Sequence, residues 1–341
     1  MAVIASNSQG WIICHETYIK KVYCKTKHNE SLCSYEFNPA LFDICEPFRK
    51  SKNQNQDSDT EVNVVEAAYK SLYELFVINE SSEKASNTEA RKIANNFYDN
   101  IRYPDGSLRG ENDNDEAVLE TVGNDKYLFP KKCIFYSYDI KDINIHLKDA
   151  LYHFILLDPP WWNKFIRRKR KANSNFGYNM MYDIDLQHIP INQLLHDDGL
   201  VGIWCTNAPS HINAVLTKIF PAWNIKFLSQ WFWLKITKDG KPICAFSEPH
   251  GKHPYERIMF GVKQNSVRQY SNPENNKVFM SAPSAIHSHK PPVCELLKDC
   301  IPQNANCLEL FARYLLPHWT SYGNEVLKLQ HFSLYTSVTN K

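Results

Sequence analysis

The sequence predicts a doubly wound, mostly parallel α/β domain over residues 129–341, preceded by a smaller, mainly helical N-terminal domain over 1–128. Three observations carry that reading. From about residue 130, short apolar, β-rich runs alternate with amphipathic stretches. One of these runs, HFILL at 153–157, stops abruptly at Asp158-Pro159-Pro160-Trp161. Before residue 130, polar stretches alternate with segments of helical periodicity.

In chain order, 11–48 reads as an irregular or hairpin segment. Residues 51–60 (SKNQNQDSDT) lack any large apolar residue and form a loop. In 61–78, Val65, Ala68, Leu72, Leu75 and Phe76 recur at helical spacing. A second polar loop covers 79–90, and Ile93, Phe97 and Ile101 give a weaker helical pattern over 87–101. Residues 104–117 are acidic and turn-rich. The strands expected beyond 130 are 133–138, 153–157, 200–205, 225–236, 256–262, 277–281 and 306–311. The helices expected there are 186–196, 209–220 and 291–300, the last opening on Pro291-Pro292, which suits a first helical turn. In such sheets ligands bind at the carboxyl ends of the strands, near the switch point.

Composition excludes several classes of function. With 43% hydrophobic residues the chain can bury a large core, so full-length disorder is excluded. Lys plus Arg is 39 against 37 acids, which excludes a uniformly basic coat for nucleic acid. The 11 glycines contain no G-x-G and no G-x-x-x-x-G-K, so a nucleotide-like cofactor must be held by side chains. No two of the 10 cysteines are spaced C-x-x-C, so they read as free thiols in a reducing compartment, and no metal is expected. The apolar runs are short, and the one at 154–157, which stops at Asp158, is far below the roughly 20 residues of a membrane span. The N-terminus has no signal-peptide pattern. The expectation is a soluble, monomeric protein of the nucleus or cytosol, without a membrane partner.

The stretch that carries chemistry is 153–162. A buried strand ends in two prolines that cannot continue the ladder, so Asp158 sits at a strand's carboxyl end beside a rigid turn and an aromatic plate. The carboxylate can accept one hydrogen bond from an exocyclic amine. A proline carbonyl, followed by a residue without N–H, can accept another, and Trp161 can stack on a planar ring. Two acceptors on the amine stabilise the positive charge that develops as it attacks an electrophile, and positioning contributes much of the rest. The bland reading, a turn that merely caps a strand, loses ground to the motifs that follow later in the chain.

Those motifs are DPPWWNK at 158–164, HSHKPP at 287–292, ELFAR at 309–313 and WTSYGNEVLK at 319–328. In this order they resemble the adenine N6-methyltransferases related to the mRNA adenosine methyltransferase, in the methyltransferase-like protein 4 branch. The resemblance covers about 130–330 and implies a Rossmann-like fold with S-adenosylmethionine as methyl donor. It implies a catalytic turn of Asp158, Pro159, Pro160 and Trp161. It further implies cofactor contacts from Asp139 and Ile140 (adenine), Asp158, Ser288 and Lys290 (methionine carboxylate), Glu309 and Arg313, and Asn324 and Glu325 (ribose). The bland readings are a solvated lysine, a Glu–Arg pair at i,i+4 and a Gly-Asn turn. The family's polar His-Asn pair after the ELF-x-R arginine is replaced here by Tyr314, Leu315, Leu316 and Pro317, which puts the contacts made there in doubt.

Residues 163–171 (NKFIRRKRK) carry six positive charges and no acid next to the catalytic turn. They read as a phosphate-backbone contact, and a nuclear localisation role is compatible with that. Asn163, Lys164, Arg167, Arg168 and Tyr178 are assigned to the substrate, with Phe176 and Tyr178 closing over a base. Trp231, Phe232 and Trp233 form a further aromatic cluster, at least half of it core. A target amine inside a duplex is unreachable, so the base must be flipped or unpaired. The resemblance implies a 2′-O-methylated adenosine in a spliceosomal small nuclear RNA as substrate, with DNA adenine as the alternative. A catalytically silent RNA-binding scaffold is the reading from a different class, and the intact DPPW counts against it.

Overall fold

The computed structural model describes residues 2–48, 60–77, 87–101, 107–162, 180–246 and 253–338. The substrate residues Asn163, Lys164, Arg167, Arg168 and Tyr178, with Phe176, lie outside the described residues.

Among the described residues the fold is dominated by an eleven-stranded mixed sheet. Its centre is β9 (Cys133–Ser137), β10 (Tyr152–Leu157), β11 (Leu195–Cys205), β15 (Cys307–Leu310) and β16 (Trp319–Tyr322), in the order β9, β16, β15, β10, β11 and all parallel. From β10 the chain winds outward to β11, and from β15 it winds the other way to β16. The switch point therefore falls between β10 and β15, and their carboxyl ends form the crevice. Next to β11 come β13 (Tyr255–Lys263), β12 (Ile225–Lys235) and β14 (Lys277–Ser281). Because β13 is antiparallel to both β11 and β12, its first residues and the last residues of β12 reach the same edge as the end of β10.

The segment before 129 is not the mainly helical unit expected from its polar loops. Strands β1 (Val3–Asn7) and β2 (Gly10–Ile13) extend the large sheet beyond β14, and β6 (Leu108–Asn112) extends its other edge beyond β9. The close approach of β2 to β14 depends on Gly10: a Cβ there would sit 1.7 Å from the Val278 carbonyl oxygen. A separate four-stranded sheet joins β3 (Thr26–His28), β4 (Ser31–Cys33), β7 (Ala117–Val122) and β8 (Asp125–Phe129). The acidic, turn-rich reading of 104–117 missed β6, since Leu108-Arg109-Gly110-Glu111-Asn112 has too few apolar residues to show a strand pattern. A two-stranded pair joins β5 (Tyr35–Phe37) to β17 (Tyr335–Ser337), tying the amino-terminal segment to the last part of the chain.

The two periodic segments of that region do form helices. Helix α2 (Thr60–Tyr73) buries Val65, Ala68 and Leu72 against Phe232, Leu234, Val278 and Met280 on one face of the sheet. Helix α3 (Asn87–Asn100) and α1 (His15–Tyr23) pack on the other face, where Phe154, Leu156, Trp204, Trp231 and Trp233 point. All three residues of the 231–233 cluster are core.

Three expected helices are altered. Residues 186–196 hold only single turns at Asp183–Gln187 and Ile191–Leu194, broken at Pro190, and 195 and 196 already belong to β11. Helical backbone runs from Pro209 to Ala222 but passes through a π-helical stretch at Val215–Ile219. Residues 291–300 form no α-helix. Between Pro292 and Pro302 the chain makes only a single 3-10 turn at Cys294–Leu296, which already buries Val293, Leu296 and Leu297.

No described helix is long and apolar enough to cross a membrane. A groove of about 1540 Å³ lies at the amino ends of the central strands, lined by Tyr152, Cys307 and Trp319 among others, on the opposite edge of the sheet from Asp158.

Candidate active site

Asp158 follows β10 directly. Its backbone N–H donates to the Leu310 carbonyl at the end of β15 (3.3 Å), so the switch-point crevice holds it. The two prolines then turn the chain. Trp161 N–H donates back to the Pro159 carbonyl (2.8 Å), and Met181 N–H donates to the Pro160 carbonyl (3.0 Å). The sequence reading left a proline carbonyl free. In the fold each of these carbonyls already accepts one N–H and keeps one further lone pair.

Trp161 differs from the open plate expected of it. It is buried, its indole N–H donates to the Trp204 carbonyl (2.7 Å), and its ring stacks on His211 at 5.0 Å and 22°. His211 Nδ1 in turn meets Thr206 Oγ1 at 2.7 Å. Trp161 is thus a fixed wall of the crevice.

Around Asp158 lies a network of buried charge. Arg313 Nη1 is 2.5 Å from Asp158 Oδ2, and Lys290 Nζ is 3.5 Å from Oδ1. Arg313 Nε also reaches Glu325 (3.2 Å), which Lys328 meets at 2.7 Å. Lys290 is bonded to Glu256 at the start of β13, and Lys235 at the end of β12 grips the same carboxylate. The Lys290 ammonium also sits 4.9 Å from the Trp204 ring centre. Burial pushes the Glu256 carboxyl up, but the ammonium groups of Lys235 and Lys290 outweigh it and hold the carboxyl well below the usual range. Burial likewise works against the Lys290 ammonium, and Asp158 and Glu256 overcome it, so its pKa is raised.

Glu309 departs from this pattern of pairing. It lies on β15, is 2% exposed, and its Oε2 has no hydrogen-bond partner among the described residues. Burial and the nearby Asp158 raise its pKa to about 8, with Arg313 acting against them. Arg313, its i,i+4 neighbour in the bland reading, is held by Asp158 and Glu325.

The other sequence-predicted residues reach the same edge with varied roles. Ser288 has left-handed backbone (φ 61°) and bonds its hydroxyl to His287 Nδ1 at 2.8 Å. Asp139 is exposed and caps the turn after β9, accepting from Lys141 N–H (3.0 Å), while half-buried Ile140 packs under it. The Asp139 carbonyl accepts from the Tyr322 hydroxyl (3.0 Å). Asn324 is exposed. Before it, Gly323 has φ 154°, and a Cβ there would lie 3.1 Å from Phe311 Cα, so glycine lets the ELFAR turn close on the GNE turn. Tyr314, Leu315 and Leu316, which replace the family's polar pair, are buried in the core.

Sequence reasoning missed Glu256 and Lys235. The signal was two charged residues, Glu256 and Arg257, inside an otherwise apolar strand run, YERIMF, a pattern that marks charges needing buried partners. No group of three or more His, Cys, Asp and Glu side chains among the described residues could hold a metal ion.

The crevice can be tested for a zwitterionic sulfonium ligand. Two cations line it, Lys290 and Arg313, and they suit a carboxylate. An unpartnered buried carboxyl, Glu309 Oε2, suits an approaching cation. The donor set fits.

Comparison with known proteins agrees. The MT-A70 family model matches residues 152–325, just over half of the chain. The chain is 35% identical over 237 residues to the human N(6)-adenine-specific methyltransferase METTL4, covering 67% of this chain and 49% of that one. It is 32% identical over 282 residues to a DNA N6-methyl methyltransferase of Caenorhabditis elegans, covering 82% and 72%. It is 31% identical over 235 residues to the N6-methyladenosine RNA methyltransferase MTA1 of Pyricularia oryzae, covering 66% and 61%. The chain spans about half the length of the human and mouse relatives it matches. The chain therefore belongs to the MT-A70 family of adenine N6-methyltransferases, whose methyl donor is S-adenosylmethionine.

Proposed function

We propose that this protein methylates N6 of adenine in RNA, with an internal 2′-O-methyladenosine of a small nuclear RNA as its target. The observation that carries the chemistry is Asp158 at the switch point, with one carboxylate oxygen tied to Arg313 and the other only 3.5 Å from Lys290. Bound S-adenosylmethionine supplies an electrophilic methyl group on a positively charged sulfur. Lys290 holds the carboxylate of its amino-acid end, and Glu309 and Arg313 flank that end. Glu325 and Asn324 take the ribose hydroxyls, and Asp139 with Ile140 frames the adenine.

On the acceptor side, Asp158 Oδ1 takes one hydrogen of the target amine, and the spare lone pair of a Pro159 or Pro160 carbonyl takes the other. Holding both hydrogens keeps the nitrogen lone pair aimed out of the ring and stabilises the charge that forms on attack. Trp161, fixed by Trp204 and His211, sets the plane of the base. The basic run that includes Lys164, Arg167 and Arg168 holds phosphates, and Asn163 and Tyr178 contact the base.

The name of the nematode relative favours a second substrate, adenine in DNA. Matched oligonucleotides carrying adenosine, 2′-O-methyladenosine or deoxyadenosine at one site separate the readings. The 2′-O-methyl RNA is expected to be methylated fastest, and a clear preference for deoxyadenosine would replace the substrate while leaving the roles of Asp158 and Lys290 in place.

A further inference from the structure

Lys290 lies in an irregular loop, 284–292, whose shape is set from outside it. Ser288 is held in left-handed backbone, a conformation that persists only where surrounding contacts impose it. Several of the contacts that hold it come from the first hundred residues. The Leu41 carbonyl accepts Ala285 N–H (2.7 Å), and the hydroxyl of Tyr98 on α3 accepts His287 N–H (2.9 Å). The His289 ring, 4% exposed, is enclosed by His15 at the start of α1 (4.2 Å between centres), Phe37 (5.0 Å) and Tyr314 (5.6 Å). His15 is itself 2% exposed, and neither histidine's Nδ1 has a partner among the described residues. The pair acts as packing volume directly beside Lys290. The Tyr98 ring also lies 5.4 Å from the Lys328 ammonium, which holds Glu325, so Tyr98 stands between the loop of Lys290 and the turn of Glu325.

We propose that His15 and Tyr98 are positioning residues that set the Lys290 loop for the carboxylate of the methyl donor, making the amino-terminal segment part of the donor site. This rests on the reading of Lys290 as the carboxylate contact. His15 fixes His289 by shape, and Tyr98 fixes the His287 amide by one hydrogen bond.

Two ligands isolate the effect: S-adenosylhomocysteine, which has the amino-acid carboxylate, and 5′-methylthioadenosine, which lacks it. Binding of both to the full chain is measured by calorimetry, with thermal unfolding alongside. Lys290→Met and His15→Ala are expected to weaken S-adenosylhomocysteine about tenfold, as loss of a charge-assisted contact would, and to leave methylthioadenosine within about twofold. Tyr98→Phe should weaken the first ligand by about three- to fivefold, the scale of one hydrogen bond. His15→Phe, which keeps the packed volume, should restore binding and keeps the test open where His15→Ala fails to fold. If Lys290→Met discriminates between the ligands while His15→Ala and Tyr98→Phe do not, the positioning role is overturned. Equal weakening of both ligands by Lys290→Met would overturn the carboxylate reading, and this proposal with it.

Discussion

Arg313 and Asp158 form a buried pair at 2.5 Å, joining the ELFAR turn to the DPPW turn across the two strands that flank the switch point. Both side chains are at most 10% exposed. The same guanidinium reaches Glu325, so a single planar fork spans the DPPW turn and the GNE turn.

Arg313→Ala should therefore cost stability as well as cofactor binding. Breaking a buried pair by removing one partner leaves an uncompensated charge and costs about 3–5 kcal/mol. Arg313→Lys, which keeps the charge but cannot bridge two carboxylates with a planar fork, should fall between the parent and Arg313→Ala. Urea denaturation of the three proteins checks this, and equal midpoints would show that the bridge contributes nothing.

Glu309 gives a pH-dependent prediction of definite sign. Its folded pKa, about 8, lies above its ordinary 4.5. Between these values the folded chain holds a proton that the unfolded chain has lost, so stability from this group is present below pH 4.5 and declines as pH rises toward 8. Glu309→Gln, which fixes the neutral form, should be more stable than the parent at pH 8, by on the order of 2–4 kcal/mol, and equal to it at pH 4.5. Chemical denaturation at the two pH values decides it, and an unchanged difference between them would mean that the carboxyl is ionised throughout.

The histidines beneath Lys290 act in the opposite direction. Burial lowers His15 from 6.5 to about 3 and lowers His289 as well. Below pH 6.5 the unfolded chain takes up protons that the native chain refuses, so stability is present above 6.5 and falls with acid. His15 should account for about 2 kcal/mol of loss between pH 7 and 5, and His289 acts in the same direction. His15→Phe should remove its share, giving a shallower acid loss in denaturant titrations. An identical loss in parent and variant would show His15 free to protonate in the folded protein.

The legible part of the site was the part written as contiguous strings. A short apolar run followed by Asp-Pro-Pro reads as a strand with a hard stop, and on that reading Asp158 was placed at the carboxyl end of β10. The strand expected at 306–311 likewise put Glu309 near a strand's carboxyl end, whereas the strand before Glu325, β16, was not expected, and Glu325 was named only through the resemblance. What escaped was long-range pairing. Glu256 and Lys235 meet only because β12 and β13 are antiparallel neighbours, and no local pattern encodes that register. The amino-terminal strands escaped for a related reason. Gly10-Trp11-Ile12-Ile13 is too short to stand out, and it becomes a strand by pairing with β14 more than 260 residues away. The helix expected at 291–300 failed because helical spacing of Val293, Leu296, Leu297 and Cys300 serves equally for turns that bury those side chains.

The central claim is that Asp158 grips the target amine, and one assay tests it directly. Parent, Asp158→Asn and Asp158→Ala proteins, matched for folding by thermal unfolding, are incubated with methyl-labelled S-adenosylmethionine and an adenine-containing RNA, and the digested nucleosides are separated. The parent should place label on N6 of adenine, and both variants should do so about 10²–10³-fold more slowly, the scale for losing one preorganised polar partner. Label at N6 at the parental rate in folded Asp158→Ala, or label from the parent on another atom, would contradict the account.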